Sequence, residues 1–131
     1  MKTHCIRLTK GQDILTEIKR YCETNSIKAS VILSSVGCVT MAVIRDAGGK
    51  DKHFIQDNME ILSLNGTASM YRVHLHIAFS KNDLSVIGGH LLEGCMVNTT
   101  CELVLMELDD VEFRSEFDDA TGYEEIDIRA V

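Results

Sequence analysis

Three observations predict an α+β domain, a largely antiparallel sheet served by one main N-terminal helix. A single segment, Asp13 to Asn25, carries apolar residues at helical period; six or more β-branched or alternating runs follow it; and the gaps between those runs are too short for repeated helical crossovers. With 131 residues and no proline, the chain is long enough for one core and has nothing of a proline-rich linker. A single domain over residues 1–131 is expected.

In chain order, Cys5 to Leu8 alternate weakly and read as an opening strand. Ile14, Leu15, Ile18, Tyr21 and Cys22 then fall at offsets 0, 1, 4, 7 and 8, one apolar stripe on a helix that Gly11, Gln12 and Asp13 start. Its opposite face, Glu17, Lys19, Arg20 and Glu23, reads as solvated surface. Ala29 to Val36 and Cys38 to Arg45 read as two strands, closed by the loop Ala47-Gly48-Gly49-Lys50. Further strands are expected at Phe54 to Gln56, Met59 to Asn65, Arg72 to Ser80, Leu84 to Gly88, Cys101 to Leu108 and Glu112 to Phe117. Asn65-Gly66 reads either as a type I′ hairpin turn or as a bulge in a longer strand. At the end of the chain Ile126 and Ile128 alternate, so the tail is expected to pair as a terminal strand.

Hydrophobic residues make up 45% of the chain and charged ones 25%, the proportions of a globular domain rather than a disordered one. No apolar run near the N-terminus suits a signal peptide and no long uncharged stretch suits a membrane span. A cytoplasmic location without a membrane partner is expected. The five cysteines, at 5, 22, 38, 95 and 101, are odd in number and form no C-x-x-C pair, so they read as small core hydrophobes rather than as a disulfide framework or zinc ribbon. The formal charge of −7 is unevenly placed: Glu102 to Val131 holds 11 acidic and 2 basic residues (−9), Met1 to Cys101 holds 11 basic and 9 acidic (+2). An acidic C-terminal segment, 109–131, repels phosphates, which disfavours duplex DNA. No G-x-G-x-x-G, P-loop or G-x-S-x-G occurs, which leaves nucleotide-phosphate binding and serine-hydrolase chemistry without support.

The stretch richest in chemistry is VHLHIAFSKNDLSVIGGHLLEG, Val73 to Gly94. His74 and His76 are two apart in a strand-like run, so both rings emerge on one face, about 7 Å apart along the backbone. With Lys81-Asn82-Asp83 as a three-residue loop, paired positions sum to 164 and His90 falls opposite His74 on the same face. A loop of even length would turn it to the other face. Gly88 and Gly89 leave space where a side chain would crowd the centre. Three imidazoles with an open position are the ligand set of a catalytic zinc ion. The blander reading is a half-exposed pair with local hydrogen bonds; His4 and His53, which have no such partners, read as ordinary surface or core. Glu60 and Glu93 are the carboxylates nearest in sequence logic for proton transfer, and Arg72 is suited to polarise or hold an anionic substrate; each also reads as an ordinary surface charge.

On these residues the chain resembles the plant-and-prokaryote conserved (PPC) domain, which follows AT-hooks in plant nuclear proteins and stands alone in bacteria and archaea. The resemblance is carried in order by the helix opened at Gly11-Gln12-Asp13, SSVGCVTMAVIR from Ser34 to Arg45, EILSLNGTAS from Glu60 to Ser69, HLHIAFS from His74 to Ser80, GGHLLEG from Gly88 to Gly94 and CELVLMEL from Cys101 to Leu108. It spans almost the whole chain. It implies an α+β fold around an antiparallel sheet and a homotrimer whose subunits cover one another's edge strands and apolar faces. Plant members bind DNA through the basic AT-hook, whereas this chain has no R-G-R-P-type segment, and Asp57-Asn58-Met59 stands where plant members carry arginine. His74, His76 and His90 also resemble the His-x-His plus downstream His zinc ligands of acetolactate decarboxylase, whose fold is similar to PPC. The resulting expectation is a stand-alone PPC-domain protein holding zinc or a similar divalent ion on His74, His76 and His90. If it is an enzyme, Glu60 or Glu93 would transfer the proton in a lyase or hydrolase reaction on a small carboxylate or ester. The alternative is a DNA-binding or protein-interaction module like the plant domains.

Overall fold

The computed structural model describes residues 1–131, in the order β1 (Lys2–Thr9), α1 (Ile14–Thr24), β2 (Ser30–Arg45), β3 (Lys52–Ile55), β4 (Met59–Ala68), β5 (Val73–Ser80), β6 (Val86–Leu91), β7 (Met96–Glu107), β8 (Val111–Asp118) and β9 (Tyr123–Ala130). Asp13 starts the helix. Its extended backbone lets one carboxylate oxygen accept from the Thr16 amide at 2.9 Å, and the other accepts from the Gly94 amide at 2.6 Å. One residue thus satisfies a free donor of the first turn and ties α1 to the turn before β7. The predicted stripe is the face that packs: Ile14, Leu15, Ile18 and Cys22 are buried, and Tyr21 packs at the margin.

Seven strands form one antiparallel sheet in the order β1-β7-β2-β4-β5-β6, with β3 on β2. A further short pairing, Ile44 with Leu91 and Arg45 with His90, joins β6 back to β2, so β2, β4, β5 and β6 form a closed circuit. The core lies between that curved sheet and α1, where Leu75, Ile77 and Phe79 of β5 meet Val39, Leu91, Leu103 and Leu105 and the helix stripe in one buried cluster. β8 and β9 form a separate hairpin, so the tail does pair as a terminal strand. It is anchored to the body: the Phe113 amide donates to the Lys28 carbonyl at 2.9 Å and the Ser69 hydroxyl donates to the Phe113 carbonyl at 2.7 Å. The Arg114 guanidinium sits 4.1 Å over the Tyr71 ring. No helix is long and apolar enough to cross a membrane.

Three expectations need correction or narrowing. The two strands expected on either side of Gly37 are one sixteen-residue strand, β2, with register shifts rather than a break. A Cβ at Gly37 would collide with the Thr100 carbonyl oxygen, so the glycine marks where β7 comes close, not where the strand stops. Of the two readings of Asn65-Gly66, the longer strand is the one observed: β4 runs on to Ala68 with Gly66 opposite Leu75, but the irregularity in that pair lies between Ile61 and Ser63 rather than at Gly66. Among the cysteines, Cys22, Cys95 and Cys101 are buried as expected, but Cys5 is exposed and Cys38 half-buried, and all five are free thiols.

Candidate metal centre

The period of two along β5 sends Leu75, Ile77 and Phe79 into the core and His74 and His76 to the outer face. The β5–β6 hairpin differs from expectation by two residues: His76, not His74, faces His90, and paired positions sum to 166. The turn has five residues because Asp83 builds it, accepting from the Ser85 amide at 2.9 Å and hydroxyl at 2.6 Å, while the Lys81 amide reaches the Ser85 carbonyl at 2.9 Å. A shift of two preserves the face, so His90 still joins the other two rings.

Ring centroids are 5.2 Å apart for His74 and His76, 5.0 Å for His74 and His90, and 5.6 Å for His76 and His90. One nitrogen from each ring lies within 4.8 Å of the others. Tetrahedral zinc, with bonds of about 2.1 Å, needs nitrogens about 3.4 Å apart, a contraction within reach of small side-chain rotations. The residues fit such an ion on a second count: His90 Nδ1 is buried without a hydrogen-bond partner. The other two histidines of the chain are satisfied, His4 by Tyr21 at 2.9 Å and Glu107 at 2.6 Å, His53 by Asp46 at 2.8 Å. A buried nitrogen left unpaired is costly, and a ligand-binding role accounts for it.

Electrostatics favour the ligating form. Burial first, then the Arg45 charge and the neighbouring His74 and His76, push the His90 pKa down to about 4. Burial also lowers His74, helped by His76 and Arg72. Both rings are therefore neutral near pH 7, as metal ligation requires. Gly88 and Gly89 serve a different end from the one expected. A Cβ at Gly88 would come 2.5 Å from the Ile77 carbonyl oxygen, and one at Gly89 2.6 Å from that of Arg45. The pair lets β6 lie close between β5 and β2, which closes the circuit and brings Arg45 beside His90.

Beside the rings is a cleft of about 300 Å³ lined by Asn65, Gly66, Thr67, Arg72, His74, His76 and Ile126. Asn65 and Thr67 belong there because they face His76 and His74 across the β4–β5 ladder. The structure thus brings Arg72 together with the histidines. Glu60 pairs with Ser80, on the histidine face but four residues beyond His76, about 13 Å along a strand. Glu93 is exposed, with its carboxylate 3.9 Å from Lys19 Nζ on α1. Sequence reasoning missed Arg45 and Ile126, whose positions depend on the β2–β6 pairing and on the docking of the C-terminal hairpin.

A helix-backed antiparallel sheet closed on itself, with three histidines converging on its outer face, defines the class of domain. The chain belongs to the Plants and Prokaryotes Conserved (PCC) domain family, whose pattern matches residues 1–109. A hypothetical protein from Salmonella enterica has the same fold at a TM-score of 0.95, with 32% identity over 98% of this chain and 94% of that one. The metal-containing protein from Archaeoglobus fulgidus matches at 0.81, with 31% identity over 96% of this chain and 93% of its own. A plant- and prokaryote-conserved protein from Pyrococcus horikoshii, at 24% identity and a TM-score of 0.77, covers 91% of this chain and 87% of its own and shares the fold. Among curated proteins, the Bifunctional protein GlmU of Synechococcus sp. (strain JA-3-3Ab) is 34% identical over all 131 residues. The chain spans about a fifth of that relative, 21% of its length.

Proposed function

We propose that this chain binds a divalent metal ion, zinc or one with similar ligand preference, on His74, His76 and His90. The observation that carries the reading is the convergence of three imidazoles, their nitrogens within 4.8 Å, with a buried His90 nitrogen that no protein group satisfies. The metal-containing relative from Archaeoglobus fulgidus adds support. Held by three nitrogens, such an ion supplies a Lewis acid for a carbonyl oxygen or lowers the pKa of a bound water. In an enzymatic role, as a lyase or hydrolase on a small carboxylate or ester, Glu60 and Glu93 are the candidate proton-transfer groups; Glu60 shares the histidine face but lies about 13 Å along the strand from His76, so it would act only through a relay, and Glu93 is engaged by Lys19.

The homotrimer implied by the family resemblance is part of this proposal. Leu33, Val36, Leu62 and Val86 are each more than half exposed and would be covered by neighbouring copies. The alternative of a DNA-binding module has against it the 11 acidic residues between Glu102 and Val131.

Element analysis by mass spectrometry on untagged protein tests the metal. About one zinc-class ion per chain is expected, as a three-ligand site holds one, and substituting all three histidines should abolish it. Absence of a stoichiometric ion, together with a zinc affinity unchanged by the triple substitution, overturns the reading.

A further inference from the structure

We propose that the cleft beside the three histidines takes a small organic dianion, a dicarboxylate in chemical class, and that Arg72 is the residue that reads its charge, with Arg45 adding positive field from beside His90. The inference rests on the metal reading of the same site and adds the ligand. Its basis is an uncompensated positive field. Three neutral imidazoles bring no charge to a bound divalent ion. Arg72 lines the cleft itself, and Arg45 faces His90 across the β2–β6 pairing. Neither guanidinium has a carboxylate partner among the ion pairs of the chain. Arg45 Nε is buried and unsatisfied. Both arginines act on His74, and the carboxylate whose charge reaches that ring is Glu125. A divalent ion and two guanidinium groups (+4) stand against Glu124 and Glu125 (−2), since Asp127 is paired with Arg129, and the remaining +2 is balanced by a dianion and not by a monoanion.

Shape and surroundings set the size. A cleft of about 300 Å³ is at the lower end for small-molecule sites, and Ile126 of β9 walls it on one side. The hairpin that supplies this wall also carries Glu124, Glu125 and Asp127, which repel an extended polyanion but leave a compact dianion within reach of Arg72. The Thr67 hydroxyl, opposite His74 on the cleft wall, adds a neutral donor.

The test is calorimetric titration of zinc-loaded protein with malonate, acetate and the neutral acetamide, with zinc affinity and zinc retention measured separately. Malonate is expected to bind at least about tenfold tighter than acetate, and acetamide not measurably, as charge-assisted hydrogen bonds predict. Arg72→Gln should weaken malonate about tenfold or more while the protein still retains its zinc, and Arg72→Lys should recover part of the loss. Equal affinity for the three probes, or malonate binding indifferent to Arg72→Gln, overturns the proposal. Protein that binds zinc but no malonate refutes this inference alone, whereas protein that binds no zinc refutes the metal reading beneath it.

Discussion

His90 carries more of the site's physics than the other two rings. Burial and Arg45 hold its pKa near about 4 against an ordinary 6.5, and His74 is lowered in the same direction. Because the folded values lie below the unfolded ones, the unfolded chain takes up more protons in between. This contribution to stability is complete above about pH 6.5 and is lost progressively as the pH falls towards about 4. Thermal melts of metal-free protein should show a falling midpoint across that window, and His90→Asn should flatten part of the slope. A midpoint indifferent to pH there contradicts the burial argument. Gly66 offers a steric test of the same site. Its φ is +136° and a Cβ would collide with the His74 carbonyl oxygen, so Gly66→Ala should cost about 2–4 kcal/mol in denaturant unfolding and weaken zinc binding by moving His74. The shared face of the histidines is legible in the sequence because the side-chain period is two. Any odd loop between β5 and β6 keeps His90 with its partners, and the two-residue error in register changed its neighbour but not its face. Arg45 is not legible, because nothing local announces a two-residue closure between strands so far apart in sequence.

Among the elements, α1 is the one most fully written in the sequence: period, cap and buried stripe agree. Asp13 does more than a cap alone, since its second oxygen holds the Gly94 amide just before β7. Asp13→Ala should therefore cost about 1–2 kcal/mol for the cap, with a further loss for the stranded Gly94 donor, measurable by urea unfolding. Asp13→Asn should retain part of both. A loss no larger than that of an exposed helix substitution would show that the tie to Gly94 contributes nothing. β2 is the opposite case. Glycine in a β-branched run is ambiguous between an end and a close approach, and only the position of the β7 backbone against Gly37 decides it. The tight packing at Gly88 and Gly89 is obscure for the same reason, since local sequence does not reveal which backbone lies over a glycine.

At the scale of the whole molecule, the C-terminal hairpin stands apart. The family pattern ends at residue 109, the seven-stranded sheet is complete without β8 and β9, and the hairpin's buried Phe113 lies outside the main core cluster. A chain ending at Asp110 should therefore keep the helix, the sheet and its zinc affinity, with a lower melting temperature from losing the Phe113 and Arg114 contacts. Its electrostatics should change more than its fold. Residues 111–131 hold 7 acidic and 2 basic side chains, so removing them takes the formal charge from −7 to −2 and strips the carboxylates next to the cleft. Salt-dependent retention on immobilised duplex DNA should then rise at low ionic strength relative to the full chain. The same gain, without truncation, is expected from combining Glu124→Gln, Glu125→Gln and Asp127→Asn. If the truncated chain unfolds, the hairpin belongs to the folding unit. If both variants bind DNA no better than the full chain, the charge of the hairpin is not what keeps polyanions away, and the selectivity of the cleft for small anions must come from its shape alone.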